Sequence, residues 1–265
     1  MAVPAISKPV LLFFRRIVRG YFRRHFHGVR GSGVERFLEA GSGGPLIVYA
    51  NHGSWWDPMV CILLGERMGG RRHYAPMDAA ALERYGILKR VGIFGVEMNS
   101  PRGAVQFVRT GEAVVRGGGV LWVTPQGRFA DTRERPLEFK AGLAAVAVRV
   151  AEAEGECGVL PLAIEYPFWD ERLPEVLLQF GERVRVVRGE DAEAVQARLV
   201  GALEAAMEEL KAKAMARDAE AFEELVRGTR GMGGFYALGQ RVKAFVRREP
   251  YRAEHTRAKT AEVRK

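Results

Sequence analysis

One stretch of this 265-residue chain carries side chains whose types and spacing could do acid–base chemistry: Asn51-His52-Gly53-Ser54-Trp55-Trp56-Asp57-Pro58. His52 leaves an apolar run, PLIVYA (45–50), and Asp57 follows five residues later. A histidine at the exit of a buried strand suits a general base that takes a proton from an attacking hydroxyl. A carboxylate beside it would fix the ring tautomer and stabilise the imidazolium that forms. The spacing is weak by itself. With five His and six Asp in the chain, a pair at one given offset arises by chance in roughly one such sequence in ten. A histidine that only caps the next helix would look the same. His25, His27, His73 and His255 have no metal-ligand spacing and read as surface or packing residues. No metal and no cofactor is expected.

Such a pair needs a rigid frame. Four short apolar runs read as buried strands: 45–50, 92–98, 119–125 and 158–166. Helical segments fill the gaps near 57–69, 79–90, 101–116 and 140–154. This alternation predicts an α/β fold, a mixed, largely parallel sheet flanked by helices. In such sheets ligands gather at the carboxyl ends of the strands, which is where His52 falls.

Composition narrows the class. A hydrophobic content of 48% suits a chain that buries a real core. Cys61 and Cys157 lie far apart without CxxC spacing, which suits a reducing compartment. Residues 1–10 show no A-x-A cleavage site, so no signal peptide is expected. No apolar stretch reaches the roughly 18 residues needed to span a bilayer as a simple helix.

The net charge of +9 is unevenly spread. Residues 1–30 carry seven basic residues and no acid, and residues 241–265 carry nine basic residues against Glu249, Glu254 and Glu262. The ends are therefore +7 and +6, and the body is 9 − 13 = −4. Basic ends attract polyanions, either nucleic acid or an anionic lipid surface. In residues 9–26, Val10, Phe14, Ile17 and Tyr21 repeat at helical spacing, widened by Leu11, Phe13, Val18 and Phe22. Arg15, Arg16, Arg19 and Arg23 fall behind that face. The pattern fits a helix lying in a lipid interface; the plainer alternative is an amphipathic helix packed on the protein body. Phe235, Leu238, Val242, Phe245 and Val246 form a similar face near the other end, flanked by Arg241, Lys243 and Arg247. The expected organisation is a basic amphipathic membrane-association helix (1–30), a catalytic domain (31–186), accessory helices (187–247) and a basic tail (248–265). Residues 189–227 read as one or two charged helices within that accessory part.

The string Asn-His-x-Ser-Trp-x-Asp resembles the first motif of the glycerolipid acyltransferase family, which includes the 1-acyl-glycerol-3-phosphate acyltransferases. Further blocks resemble that family's motifs in the same order. Gly92-Ile93-Phe94-Gly95-Val96-Glu97-Met98 resembles Gly-x-x-Phe-Ile-Asp-Arg, and Thr124-Pro125-Gln126-Gly127-Arg128 resembles Phe-Pro-Glu-Gly-Thr-Arg. Phe139-Lys140-Ala141-Gly142 resembles Phe-Lys-x-Gly, and Val159–Ile164 resembles the apolar fourth block around Pro161. The likeness covers about residues 40–170. It implies transfer of a fatty acyl group from acyl-CoA or acyl carrier protein to a lipid hydroxyl, most simply lysophosphatidate, in phospholipid synthesis. His52 and Asp57 would be catalytic. Gln126, Gly127, Arg128 and Arg102 would bind the acceptor, and Trp55, Trp56 and Met98 would line an acyl tunnel or serve the structure. Backbone N–H groups around Gly127 and the Arg128 side chain are candidate oxyanion donors.

Two positions depart from the family pattern. Gln126 stands where a carboxylate is usual, and Met98 stands where an Arg would hold the acceptor's phosphate. A Met cannot make the bidentate contacts with which Arg binds phosphate. Arg102 and Arg128 could substitute, or the acceptor could lack a phosphate, as a glycolipid or other lipid alcohol does. A catalytically weakened lipid-binding relative is a further alternative, against which both His52 and Asp57 are retained. Nucleic-acid binding is disfavoured, because the basic ends carry no reading motif and the body is acidic. The expected partners are an acyl donor and an anionic membrane surface, reached peripherally from the cytoplasmic face.

Overall fold

A strand covered by helices on both faces must be apolar on both, and LIVYA and VLWV are. In the computed structural model, which describes residues 3–229, those runs lie at the centre of one mixed sheet. Its strands are β1 (Gly28–Ser32), β2 (Leu46–Ala50), β3 (His73–Asp78), β4 (Ile93–Val96), β5 (Val120–Val123), β6 (Glu156–Glu165), β7 (Glu175–Phe180), β8 (Val184–Val187) and β9 (Glu223–Arg227). They run in the order β4-β3-β5-β2-β6-β7-β1-β9, with β8 also paired to β6. From β4 to β6 every pairing is parallel. Beyond β6 the direction reverses: β7 is antiparallel to β6, β1 is parallel to β7, and β9 is antiparallel to β1.

The helices are α1 (Lys8–His25), α2 (Val34–Gly41), α3 (Asp57–Gly65), α4 (Ala79–Arg84), α5 (Pro101–Arg116), α6 (Gly142–Glu154) and α7 (Ala192–Ala216). Side chains of a strand alternate between faces, so each central strand feeds two cores. Ile47 and Tyr49 join Leu121, Val159 and the helices α5, α6 and α7. Leu46, Val48 and Ala50 join Trp122, Leu160 and the helices α1, α2 and α3. Burying a large apolar side chain of this kind contributes about 1.5–3 kcal/mol. The parallel block therefore has its carboxyl ends, and the motifs at those ends, held from two sides.

Several elements differ from the sequence expectation. Residues 189–227 are one long helix, α7, then a strand, β9, paired with β1. The charged Glu223-Glu224-Leu225-Val226-Arg227 has no helical core face; it edges a sheet whose partner lies almost 200 residues earlier. α7, expected as accessory, buries Leu199, Leu203, Met207 and Leu210 in the same core as the central strands. Tyr49 Oη donates to Leu199 O at 2.7 Å, which ties α7 to β2. The first strand starts at Gly28, inside the segment read as a terminal helix. The expected helix 79–90 ends at Arg84 and continues as a 3₁₀ turn, Gly86–Val91. The apolar face at 235–247, the tail at 248–265 and His255 lie outside the described residues.

α1 forms where periodicity places it, but its apolar face is divided. Val18 and Phe22 are buried against the body, while Leu12, Phe13, Ile17 and Tyr21 are exposed. Arg15 Nη2 donates to Gly65 O at 3.2 Å and Arg19 pairs with Glu66 at 2.7 Å, which fastens α1 to the end of α3. Arg16, Arg23 and Arg24 are exposed.

Candidate active site

Three neighbouring parallel strands, β5, β2 and β6, end on one edge, and each hands over a polar segment there. β2 runs into Asn51 and His52. The Asn51 side chain makes a two-way bond to one residue of β6: Nδ2 donates to Ile164 O at 3.0 Å and Oδ1 accepts from Ile164 N at 2.8 Å. A side chain thereby adds one more rung to the β2–β6 ladder, immediately before the histidine.

The turn after His52 locks itself. Ser54 Oγ accepts the Trp56 N–H at 3.3 Å, and the Asp57 N–H reaches Ser54 O at 3.1 Å. Local side-chain bonds of this kind are why Ser suits such turns. Asp57 then opens α3, with Pro58 in the first turn, where a missing N–H costs nothing. The positive end of that helix favours an ionised carboxylate.

Asp57 is buried at 1% exposure and takes three donors. Its Oδ2 lies 2.8 Å from His52 Nδ1 and accepts the Ser54 N–H at 3.0 Å. Its Oδ1 accepts the Tyr166 hydroxyl at 2.5 Å. The carboxylate therefore receives His52 Nδ1–H, which leaves Nε2 as the lone-pair nitrogen. Nε2 makes no hydrogen bond to protein among the described residues, and the His52 side chain is 18% exposed. A base positioned in this way can accept a proton from a hydroxyl brought to it.

The segment after β5 clamps the His52 peptide from both sides. Gln126 Oε1 accepts the His52 N–H at 3.0 Å, and the Ala130 N–H donates to His52 O at 2.9 Å. The Phe129 ring lies over the imidazole, centroids 4.3 Å apart. Gly127 adopts φ +65°, a left-handed conformation, and a Cβ there would meet Lys140 Cε at 2.7 Å. The backbone angle favours glycine, while the Lys140 side chain could shift to admit a Cβ. Lys140 crosses this loop to donate to Asn99 Oδ1 at 3.1 Å, which joins the Phe139–Gly142 block to the residue just past Gly92–Met98.

Gln126, expected to bind the acceptor, is buried with its carbonyl spent on the His52 backbone. The Gly127 N–H, an oxyanion candidate, is used by Thr124 O at 3.0 Å. Arg128 is exposed and doubly bonded to Glu134, whose carboxyl the guanidinium holds below its ordinary value. Arg102 is exposed on the first turn of α5, and Met98 is exposed beyond β4; among the described residues neither hydrogen-bonds to His52 or Asp57. Trp56 packs among α1 side chains, with Phe26 at 4.8 Å and Phe22 at 5.9 Å between ring centroids, while Trp55 is exposed. A cavity of about 560 Å³ lies at the opposite, amino-terminal edge, lined by Gly44, Gly69, Arg71 and Gly118, and holds no motif residue.

Sequence reasoning missed Tyr166 and Phe129, which reach the dyad from other strands. It also missed a buried ion cluster. His27 Nδ1 sits 2.5 Å from Glu175, which also accepts from Arg30 at 3.2 Å. His73 is half-buried and accepts the Trp122 indole N–H at 3.0 Å. Among the described residues no group of three or more His, Cys, Asp or Glu is placed to hold a metal ion.

The crystal structure of the 1-acyl-sn-glycerophosphate (LPA) acyltransferase PlsC from Thermotoga maritima is similar in fold, with a TM-score of 0.55 and 18% identity. The likeness covers 77% of this chain and 79% of that one. A search of the curated proteins finds no match. The acyltransferase family profile matches residues 28–165, from the first strand to the end of β6, which is more than half of the sequence. The chain belongs to the acyltransferase family.

Proposed function

We propose that this protein transfers a fatty acyl group from a thioester, acyl-CoA or acyl carrier protein, to a hydroxyl of a lysophospholipid, with lysophosphatidate the favoured acceptor. The observation that carries the reading is the His52–Asp57 pair in the turn at the carboxyl end of β2, between the parallel strands β5 and β6, with Nε2 free of protein partners among the described residues. His52 takes the hydroxyl proton as the oxygen attacks the thioester carbonyl. The tetrahedral intermediate collapses, the C–S bond breaks, and the proton passes to the departing thiolate. Gln126 and Ala130 hold the base through its backbone. With the Gly127 amide engaged, the oxyanion donors left on this loop are the amides of Arg128 and Phe129. No step calls for a metal or a covalent enzyme intermediate.

Membrane association through α1 is part of the same proposal. Leu12, Phe13, Ile17 and Tyr21 are exposed beside Arg16, Arg23 and Arg24, as interfacial binding to anionic lipid requires. The cytoplasmic face is the side where CoA and carrier-protein thioesters are supplied. Because Val18 and Phe22 are core residues, removing the helix would damage the fold. Phe13→Ser with Ile17→Ser is the cleaner probe. It should weaken sedimentation with anionic vesicles while leaving the melting temperature in place; undiminished sedimentation would remove α1 as the anchor.

An acceptor without phosphate is the second reading, favoured by Met98 and by the engagement of Arg128 with Glu134. The deciding assay uses palmitoyl-CoA with lysophosphatidate or with a neutral glycolipid alcohol. Lysophosphatidate turnover that disappears in His52→Ala, by about 10²–10⁴-fold as expected for loss of a general base, supports the first reading. Turnover of the neutral alcohol alone supports the second. His52→Ala within about tenfold of wild type would remove the assigned base altogether.

A further inference from the structure

Tyr166 is the first residue beyond β6, and its hydroxyl meets Asp57 Oδ1 at 2.5 Å across 109 residues of sequence. The side chain is largely buried, with its ring 5.9 Å from that of Phe26. Burial and the adjacent Asp57 charge raise its pKa, so the phenol stays protonated and can only donate here. A short O–H···O⁻ bond of this length is charge-assisted. Asp57 thus has one oxygen held by Tyr166 and the other shared between His52 Nδ1 and the Ser54 N–H.

We propose that Tyr166 is a positioning residue for the dyad, orienting Asp57 so that Oδ2 faces His52 and limiting how strongly the carboxylate holds a proton on the imidazole. The physical basis is a division of charge. A carboxylate that gives part of its electron density to a phenol has less to offer an imidazolium. Without Tyr166, Oδ1 would be a buried, unpartnered anionic oxygen. The carboxylate would rotate more freely and would stabilise protonated His52 more. A general base works only when unprotonated, so the acid limb of its pH–rate profile would move to higher pH. Protonation of a less stabilised Asp57 would move that limb the same way.

The other ionisable groups around the pair do not produce that effect. Cys61, on α3, has its thiol pKa raised by burial and by Asp57, so it remains neutral. Arg128, on the loop over the imidazole, is neutralised by Glu134. His25, at the end of α1, packs against Trp56, 5.7 Å between ring centroids, and makes no hydrogen bond to the pair among the described residues.

The inference rests on the acyltransferase reading for its importance but not for its test. With ¹⁵N-histidine-labelled full-length protein, the His52 imidazole can be titrated by NMR, its signal identified by absence in His52→Asn. Tyr166→Phe, which keeps the ring, should raise the His52 pKa by about half a unit or more. Replacing Tyr166 by a fluorinated tyrosine, a stronger donor of the same shape, should lower it. In the palmitoyl-CoA and lysophosphatidate assay, the acid limb should move with the NMR value and kcat should fall roughly ten- to a hundredfold in Tyr166→Phe. A His52 pKa unchanged within about 0.2 unit in both variants overturns the proposal, as does a shift of the same sign in both. If Tyr166→Phe fails to fold, the fluorotyrosine arm decides alone. If both shifts occur but His52→Ala still transfers acyl groups, Tyr166 keeps its role toward Asp57 and the dyad loses its role in catalysis.

Discussion

At the scale of single residues, Gln126 shows how one position can serve structure and chemistry together. Its carbonyl holds the His52 N–H at 3.0 Å, a duty that a glutamate oxygen could perform equally well. Replacing Gln126 by Glu should therefore preserve the fold while adding a negative charge that makes His52 more basic. Gln126→Leu should instead leave a buried N–H unpaired and lower unfolding free energy by about 1–3 kcal/mol. Urea unfolding of the two variants separates these outcomes, and equal stability would show that the bond does not hold the loop. Asp57→Asn should lose about 10²–10⁴ in kcat through the wrong imidazole tautomer, measured at a pH where the protein remains folded. His52 and Asp57 were legible because one short turn carries both. Tyr166 and Phe129 were not: they reach the pair from β6 and β5, and neither residue type announces a role in proton transfer. Gln126 was legible as part of the site, but its backbone partner depends on the relative height of two strands, which no spacing reveals.

At the scale of elements, α1 joins a surface helix to the catalytic turn. Trp56 sits among Tyr21, Phe22, His25 and Phe26, so the residue preceding Asp57 is gripped by the helix. Trp56 is partly buried against that core, so Trp56→Ala should lower stability by less than the about 3–5 kcal/mol of a fully buried large-to-small change. It should also reduce activity at temperatures well below the melt, because α3 begins at the next residue. Activity that tracks only the folded fraction would show that α1 does not govern the turn. The amphipathic pattern of α1 was readable, along with the apolar runs of β2, β5 and β6. Periodicity could not say which part of an apolar face the body would cover. β9 and β1 escaped because each is short, partly charged and paired with a strand far away in sequence. β3 escaped because HYAPMD lacks both alternation and a continuous apolar run.

For the whole molecule, a buried histidine and a half-buried one tilt stability in opposite directions on either side of neutrality. Burial pushes the His73 pKa from 6.5 to about 4, with Arg15 adding to the effect. Its contribution is present above pH 6.5 and is lost as pH falls toward 4, because the unfolded chain then binds the extra proton. The loss should be about 2–3 kcal/mol over that window. The bond to Glu175 raises the His27 pKa above 6.5, against the opposing effect of burial. Its contribution is present below pH 6.5 and is lost as pH rises through the raised value. Urea unfolding from acid to alkaline pH should give a dome, flattened on the acid side by His73→Gln and on the alkaline side by His27→Gln. A dome unchanged by both substitutions would place the pH dependence elsewhere. Composition spoke to none of this, since a histidine's neighbours are set by the fold.

The pair of hydrogen bonds between Asn51 and Ile164 acts as a datum in the engineer's sense. His52 stands one residue beyond it on one strand and Tyr166 two residues beyond it on the other. Asp57 is bonded to both. Positional error accumulates only over those few links, whatever the loops elsewhere add or lose. Length changes upstream of Asn51 can be absorbed in turns. A single residue inserted between Asn51 and Asp57, or between Ile164 and Tyr166, has no slack in which to disappear.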